Sequence, residues 1–144
     1  FNRWIEDGLL NTLAEVGAGA IGFSPLAQGL LTDRYLDGIP QGTRITAGTS
    51  MWEGMASDEN LERVRGLAAI ARERGQSLAQ LAVAWTLRDT RMTSTLLGAS
   101  SVAQLEETVK AVDNLAFTDD ELAAIDEFAV DGDINLWAAQ SEIR

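Results

Sequence analysis

Apolar residues recur at helical spacing in five stretches of the chain, and two short apolar runs lie between them. A period of three to four residues is typical of a helix with one buried face, whereas a short unbroken run bounded by turn residues is typical of a buried strand. The helices are predicted up to about residue 16, from 57 or 58 to 75, over 78–88, from 101 to about 112 and from 118 to about 128. The strands are predicted over residues 18–24 and 93–97.

Start and stop signals support these helices. Ser77 with Gln80, and Thr118 with Glu121, have the spacing of capping boxes. Gly17 is well placed to end the first helix. The apolar stripes that we expect to be buried are Leu9, Leu10, Leu13 and Val16; Leu61, Val64, Leu67, Ala68 and Ala71; Leu81, Ala82 and Trp85; Val102, Leu105, Val109 and Val112; and Leu122, Ile125 and Phe128.

Residues 25–57 are predicted to form a long loop, apart from a short helix around residues 29–35. The segment holds both prolines of the chain and many Gly, Ser and Thr residues. Loops longer than about 15 residues in compact domains are usually functional. The tail over residues 131–144 has no clear period.

The order of elements predicts an α/β fold. Strands that alternate with helices form βαβ units, in which the strands are parallel and the crossovers right-handed. Two strands cannot cover the apolar stripes of five helices, and they leave their edges unpaired. The pattern therefore indicates that residues 1–144 are one piece of a larger α/β domain.

Composition narrows the chemistry. The chain has 144 residues, no Cys, no His and a formal net charge of −11. Disulfides, Cys/His zinc sites, a histidine base and a cysteine nucleophile are thereby excluded, because the residues do not exist. The negative charge disfavours nucleic-acid binding, since phosphodiester backbones are repelled. No apolar run reaches the length of a membrane span and no leader opens the chain, so a soluble, cytoplasmic protein is expected.

One motif imitates a dinucleotide fingerprint. The glycines Gly17, Gly19 and Gly22 satisfy G-x-G-x-x-G. That fingerprint needs a strand before it and a helix after it, so that the pyrophosphate meets a helix N-terminus. Here a helix is predicted before it and the apolar run overlaps it. We interpret the glycines as small residues at a helix-to-strand turn.

A second motif has the context of an anion site. Residues 98–107 follow a predicted strand and open a helix, whose free N–H groups and positive dipole end attract anions. The alternative is an ordinary capped turn, with Ser101 and Gln104 as a capping box.

A third candidate begins at the end of the first strand. Ser24 offers a hydroxyl, and the turn after Pro25 offers backbone N–H groups. The same loop holds Arg34 and Arg44, and cations are rare in this acidic chain. These arginines either bind a ligand or keep the surface soluble.

Of the four tryptophans, Trp52 is the best placed to touch a ligand. Acidic pairs such as Glu106-Glu107 lie in early helical turns, where the helix dipole explains them, although Glu107 also has a position from which it can face a ligand.

Five stretches together resemble the C-terminal half of the aldo-keto reductases, in the branch with the potassium-channel β subunits and the bacterial L-glyceraldehyde 3-phosphate reductases. The resemblance extends over essentially the whole chain, and the stretches that carry it are Phe23-Ser-Pro-Leu-Ala-Gln-Gly-Leu-Leu-Thr32, Tyr35-Leu-Asp-Gly-Ile-Pro40, Ser77-Leu-Ala-Gln-Leu-Ala-Val-Ala-Trp85, Leu97-Gly-Ala-Ser-Ser-Val-Ala-Gln-Leu-Glu-Glu107 and Ile134-Asn-Leu-Trp137.

This resemblance implies the C-terminal portion of a (β/α)₈ TIM barrel, an incomplete barrel with strands seven and eight and their helices. It also implies that NADP(H) binds in extended form without a Rossmann fold. The residues implied at the pyrophosphate and the neighbouring ribose are Phe23, Ser24, Pro25, Leu26, Ala27 and Gln28, with Arg34 and Arg44 closing over them. The residues implied at the adenosine end are Gly98, Ser100, Gln104, Glu107 and Thr108, the last replacing the usual Asn of the family.

The resemblance also implies what is missing. The family's catalytic Asp, Tyr, Lys and His come from the first half of the barrel, and Tyr35 and Lys110 match neither catalytic position. Taken alone, the chain is not expected to catalyse the reaction. The parent enzyme would reduce small aldehydes or ketones, such as L-glyceraldehyde 3-phosphate, with Trp137 and the tail shaping the substrate pocket.

Two other interpretations stay open. The first is a non-catalytic acidic interaction or regulatory module derived from the barrel. The second is a split barrel that is completed by a complementary chain or by self-association.

Overall fold

Two strands and five α-helices alternate along the part of the chain that the computed structural model describes, residues 1–39 and 55–131. The bounds of the α-helices and strands are α1 Leu9–Glu15, β1 Ala20–Phe23, α2 Asp58–Glu73, α3 Leu78–Thr86, β2 Met92–Leu96, α4 Val102–Val109 and α5 Asp119–Asp126. Short 3₁₀ helices lie at Trp4–Glu6, Ala27–Gly29, Asp33–Tyr35 and Lys110–Asp113. The predicted order of elements is confirmed.

The two strands pair in parallel, as the βαβ pattern predicts. Gly22 lies opposite Thr95, and Phe23 lies opposite Leu96. Because the strands run in the same direction, both carboxyl ends reach the same edge of the sheet. The loops that follow β1 and β2 therefore leave the sheet side by side.

The predicted capping signals are confirmed. Ser57 accepts a hydrogen bond from the N–H of Asn60 at the start of α2. Complete capping boxes open α3, at Ser77, and α5, at Thr118. Each cap satisfies backbone donors that the first helical turn otherwise leaves without partners.

The main hydrophobic core lies between α2, α3, α5 and the loop after β1. Val64 of α2, Leu78 of α3 and Ile125 of α5 are almost completely buried. Leu30 and Tyr35 belong to the same core and are 1% and 3% exposed, so they anchor the loop against the helices. This anchoring positions the part of the loop that precedes Leu30.

Two predicted apolar faces are not buried. On the sheet, Ile21, Phe23 and Leu96 are 61–63% exposed, and the α4 stripe from Val102 to Val112 is exposed as well. The prediction that these faces point inward is wrong for the described residues. Periodicity identifies the residues that share a face, but burial also needs a neighbouring layer, and the described part of the chain supplies none at these faces.

The glycines of the G-x-G-x-x-G motif have structural roles. The motif follows α1 and runs into β1, which is not the strand–turn–helix context of a dinucleotide fingerprint. Gly17 adopts φ +70° after α1, a conformation that L side chains rarely adopt. A Cβ at Gly19 would lie 2.0 Å from Thr93 Oγ1, and one at Gly22 would lie 3.1 Å from Thr86 Cγ2, so both glycines permit close packing.

Two further predictions need correction. The short helix predicted around residues 29–35 is replaced by two 3₁₀ turns, Ala27–Gly29 and Asp33–Tyr35. Val16 is predicted on the buried face of the first helix, but α1 ends at Glu15 and Val16 is 71% exposed. Leu10 is the buried residue of that helix. Among the described residues, no helix combines the length and the apolar character that crossing a membrane requires.

Candidate functional site

The loop after β1 has an unusual backbone. Ser24, Ala27 and Gln28 have φ angles of +52°, +44° and +58°. Residues with a Cβ rarely adopt this left-handed region, where each costs about 1–2 kcal/mol. The turn is held by hydrogen bonds from the N–H of Ala27 to the carbonyl of Ser24, 2.9 Å, and from Gly29 to Leu26, 2.8 Å. Strain of this kind concentrates at sites that bind ligands.

The side chains of this loop are accessible. Phe23 and Ser24 are exposed, and Pro25, Leu26, Ala27 and Gln28 are partly buried. Arg34 is exposed on the Asp33–Tyr35 turn, a few residues farther along the same loop. The other three candidate residues, Arg44, Trp52 and Trp137, lie outside the described residues.

The loop after β2 leads into α4 through an incomplete capping box. The N–H of Gln104 donates to the Ser101 hydroxyl over 3.2 Å, as in a normal cap. The Gln104 side-chain oxygen, however, accepts from the N–H of Ser100 at 2.8 Å and from its hydroxyl at 3.0 Å. The capped-turn alternative is therefore correct for Ser101 alone. Gln104 instead fixes the conformation of Ser100 beside the exposed Gly98.

Glu107 and Thr108 lie in the second half of α4. The Glu107 carboxylate accepts a hydrogen bond from the Ser77 hydroxyl, with 2.5 Å between the oxygens. Thr108 is 4% exposed, and its hydroxyl donates to the carbonyl of Gln104 at 2.8 Å. Ser77 was not among the sequence-predicted site residues, because its contact with Glu107 joins residues 30 positions apart.

Two carboxyl groups with a lowered pKa, those of Asp89 and Glu121, lie outside these two loops. The side-chain hydrogen bond from Arg91 lowers the pKa of Asp89 to about 2. A backbone hydrogen bond at Thr118, together with Arg74, lowers the pKa of Glu121. Within residues 1–39 and 55–131, no group of three acidic, Cys or His side chains is arranged to hold a metal ion.

A shallow cavity of about 480 Å³ lies beside the site. Residues of the Asp33–Tyr35 turn, of α2 and of the start of α3 line it, and its lining includes Arg65, Arg72 and Ser77. None of the sequence-predicted cofactor residues lines it. Phe23, Ser24, Gly98 and Ser100 are instead exposed in the loops that follow β1 and β2, at the carboxyl edge of the sheet.

The donor set of the two loops fits a nucleotide cofactor. The first helical turn of α4 and the strained turn after β1 present backbone N–H groups, which bind phosphate oxygens. Ser24 and Arg34 add a hydroxyl and a guanidinium donor. In parallel α/β folds, ligands bind at the carboxyl ends of the strands, where both loops lie.

Comparisons with known proteins show the family to which the sequence is similar. The model of the Aldo/keto reductase family matches residues 1–130. The L-glyceraldehyde 3-phosphate reductase of Escherichia coli (strain K12) is 49% identical over 146 aligned positions, which cover 98% of this chain and 42% of that protein. A putative voltage-gated potassium channel subunit beta of Schizosaccharomyces pombe is 41% identical over 127 positions, 85% of this chain and 37% of that protein. The chain thus spans less than half the length of these curated relatives.

Proposed function

The chain belongs to the aldo/keto reductase family, and we propose that it is the cofactor-binding C-terminal portion of an NADP(H)-dependent reductase. In this proposal, β1 and β2 are the seventh and eighth strands of a (β/α)₈ barrel. The reductase acts in the cytoplasm on small aldehydes or ketones, L-glyceraldehyde 3-phosphate being one candidate. The support for that substrate is the similarity to the Escherichia coli protein of that name.

The observation that carries the proposal is the pairing of β1 with β2. Phe23 lies opposite Leu96, so the strained turn at 24–28 and the start of α4 leave the same edge of the sheet. An extended dinucleotide has phosphate groups at its centre and at its adenosine end. Two anion-binding elements on one edge match that distribution of charge.

Each residue has a role in the proposal. Phe23 to Gln28 line the pyrophosphate and its ribose, and Arg34 and Arg44 close over them. Gly98, Ser100, Gln104, Glu107 and Thr108 hold the adenosine end. When bound, the nicotinamide cofactor supplies the hydride for carbonyl reduction.

The chain's own residues bind and orient the cofactor but supply no proton. Carbonyl reduction needs a proton donor with a suitable pKa. The sequence has no His, and its single Tyr, Tyr35, is buried in the core at 3% exposure. We infer that the proton donor of the reductase comes from residues outside the 144 of this chain.

A second candidate function is a non-catalytic interaction module. The similarity to a putative channel subunit favours it. A module of this kind would not need to bind cofactor, and the experiment below separates the two.

The test is a titration of the chain with NADPH, and with NADH in parallel, monitored through quenching of its four tryptophans. The reductase proposal predicts saturable binding of NADPH. A folded chain that binds neither nucleotide would overturn the cofactor-binding role and favour the interaction module.

Substitution of an arginine localises the site. We expect Arg34→Gln to raise the NADPH dissociation constant about tenfold, because a charge-assisted contact to a phosphate contributes about 1.5 kcal/mol or more. Ala123→Glu is the matched control, since it lowers the net charge by the same single unit on the exposed surface of α5. Equal effects of the two variants would show that overall charge, rather than a contact at Arg34, governs affinity.

A further inference from the structure

We propose that the capping box of α3, Ser77 with Gln80, is a positioning device that holds Glu107 in the orientation in which it binds the adenosine end of the cofactor. This inference rests on the proposed function and adds two residues to that site. Neither residue touches the cofactor in the proposal; both act through Glu107.

The Ser77 hydroxyl accepts one hydrogen bond and donates its proton in a second one to Glu107. The Ser77 oxygen accepts from the N–H of Gln80 at 3.2 Å, which is its capping role. A hydroxyl has one proton to donate, and that proton lies on the 2.5 Å contact with Glu107 Oε1. The cap therefore fixes the hydroxyl, and the hydroxyl fixes the carboxylate.

Gln80 holds the backbone of the same glutamate. Its side-chain oxygen accepts from the N–H of Ser77 at 3.1 Å, which completes the capping box. Its side-chain nitrogen donates to the carbonyl oxygen of Glu107 at 2.8 Å. Both side chains of the box thus donate to Glu107, one to its carboxylate and one to its main chain.

Helix capping alone does not require these contacts. The second complete box, Thr118 with Glu121, caps α5 without touching any of the predicted cofactor residues. Glu107 is partly exposed, and an untethered glutamate side chain on a helix surface samples several rotamers. Tethering one carboxylate oxygen removes this freedom before a ligand arrives.

The second carboxylate oxygen remains an acceptor. Its contact with the Thr108 hydroxyl is long, 3.4 Å, and that hydroxyl donates over 2.8 Å to the carbonyl of Gln104. An adenosine group carries donors in its amino group and its hydroxyls. The geometry therefore presents Glu107 as an oriented acceptor for such a donor.

The test is a double-mutant cycle in NADPH affinity on the chain, with Ser77→Ala and Glu107→Ala. Ser77→Ala is expected to raise the dissociation constant about tenfold, the size of one hydrogen bond to a charged group. In the Glu107→Ala background the same change is expected to have no further effect, because the group that Ser77 positions is gone. Ser77→Thr, which keeps both the cap and the proton, is expected to restore wild-type affinity.

Three controls separate positioning from folding. Thr118→Ala removes an equivalent cap at α5 and is expected to leave affinity unchanged. Ser77→Asp keeps a good N-cap but has no proton to donate at neutral pH, so it is expected to weaken NADPH binding even where Ser77→Ala fails to fold. Far-ultraviolet circular dichroism of each variant reports whether the helices persist.

Each outcome has a defined meaning. Additive effects of Ser77→Ala and Glu107→Ala, or wild-type affinity in folded Ser77→Asp, would overturn the positioning role while the proposed function stands. A wild-type chain that binds no NADPH overturns the proposed function and this inference with it.

Discussion

Asp89 and Arg91 form a local ion pair at the entrance of β2. The Arg91 guanidinium bonds both carboxylate oxygens of Asp89, and the backbone N–H of Arg91 donates to the first of them at 2.9 Å. Arg91 also donates to the side chain of Asn11, which ties the turn to α1. The pair therefore fixes both the turn and its contact with a neighbouring helix.

The low pKa of Asp89, about 2, makes its contribution to stability depend on pH. An unfolded aspartate titrates near pH 3.9, so the stabilisation is complete above about pH 4 and is lost as pH falls towards 2. We expect Asp89→Asn to lower the free energy of unfolding at pH 7 by about 1 kcal/mol or less, since the pair is partly exposed. Urea unfolding of both proteins at pH 7 and at pH 2 measures the difference, which is expected to be much smaller at pH 2, where about half of the native Asp89 carboxyl groups are protonated.

Asp7→Asn is the control for this prediction, because Asp7 is exposed and forms no ion pair within the described residues. A difference between Asp89→Asn and wild type that persists unchanged at pH 2 would contradict the assignment of the pair.

At the scale of elements, α2 and α5 meet where a glycine faces an aromatic ring. A Cβ on Gly66 of α2 would lie 2.4–2.6 Å from ring carbons of Phe128, which follows α5. Nearby, Arg74 joins the end of α2 to Glu121 at 2.6 Å and stacks over Phe117 at 3.9 Å. The two helices are thus held by one close apolar approach and one largely buried arginine.

Gly66→Ala is expected to destabilise the fold by about 1–2 kcal/mol, although alanine is the better helix former by about 1 kcal/mol. The physical reason is overlap of the new methyl group with the Phe128 ring. Thermal unfolding measures the effect, and Phe128→Leu in the same chain is expected to remove most of it. Ala69→Gly, at an exposed position of α2, measures the difference in helix propensity between alanine and glycine without a packing change. A Gly66→Ala variant that is more stable than wild type would show that the Phe128 ring moves away freely.

Local signals explain which elements the sequence predicts well. The caps at Ser57, Ser77 and Thr118 depend on residues within one helical turn, and all three are predicted. Ile21 and Val102 are exposed. Whether such a residue is buried depends on the packing of elements that are distant in the sequence, and a local pattern of apolar residues carries no information about that packing.

The same division holds at the candidate site. Ser24 and Gln104 lie in motifs that the sequence displays, so they are predicted. The contact of Ser77 with Glu107 exists only because α3 and α4 pack together, and the positive φ of Ala27 follows from the turn that anchors Leu30 in the core.

At the scale of the whole molecule, the sheet has an uncovered apolar face. Ile21, Phe23 and Leu96 are each more than 60% exposed, whereas a typical fully buried apolar side chain contributes about 1.5–3 kcal/mol. The two described strands pair only with each other, so each also has an edge without a ladder partner. Exposed edges and apolar faces of this kind promote association.

We therefore expect the chain on its own to self-associate as its concentration rises, through this face of the sheet. Ile21→Lys places a charge in the centre of the face and is expected to shift the association midpoint at least about tenfold to higher concentration, because burying an unpaired charge costs more than 1.4 kcal/mol. Sedimentation velocity over a concentration series measures the midpoint. Ala123→Lys, which adds the same charge on exposed α5, is expected to leave it unchanged. A wild-type chain that stays monomeric at every concentration would mean that the sheet face is covered in solution. Equal shifts of the midpoint in both variants would mean that net charge, rather than this face, controls association.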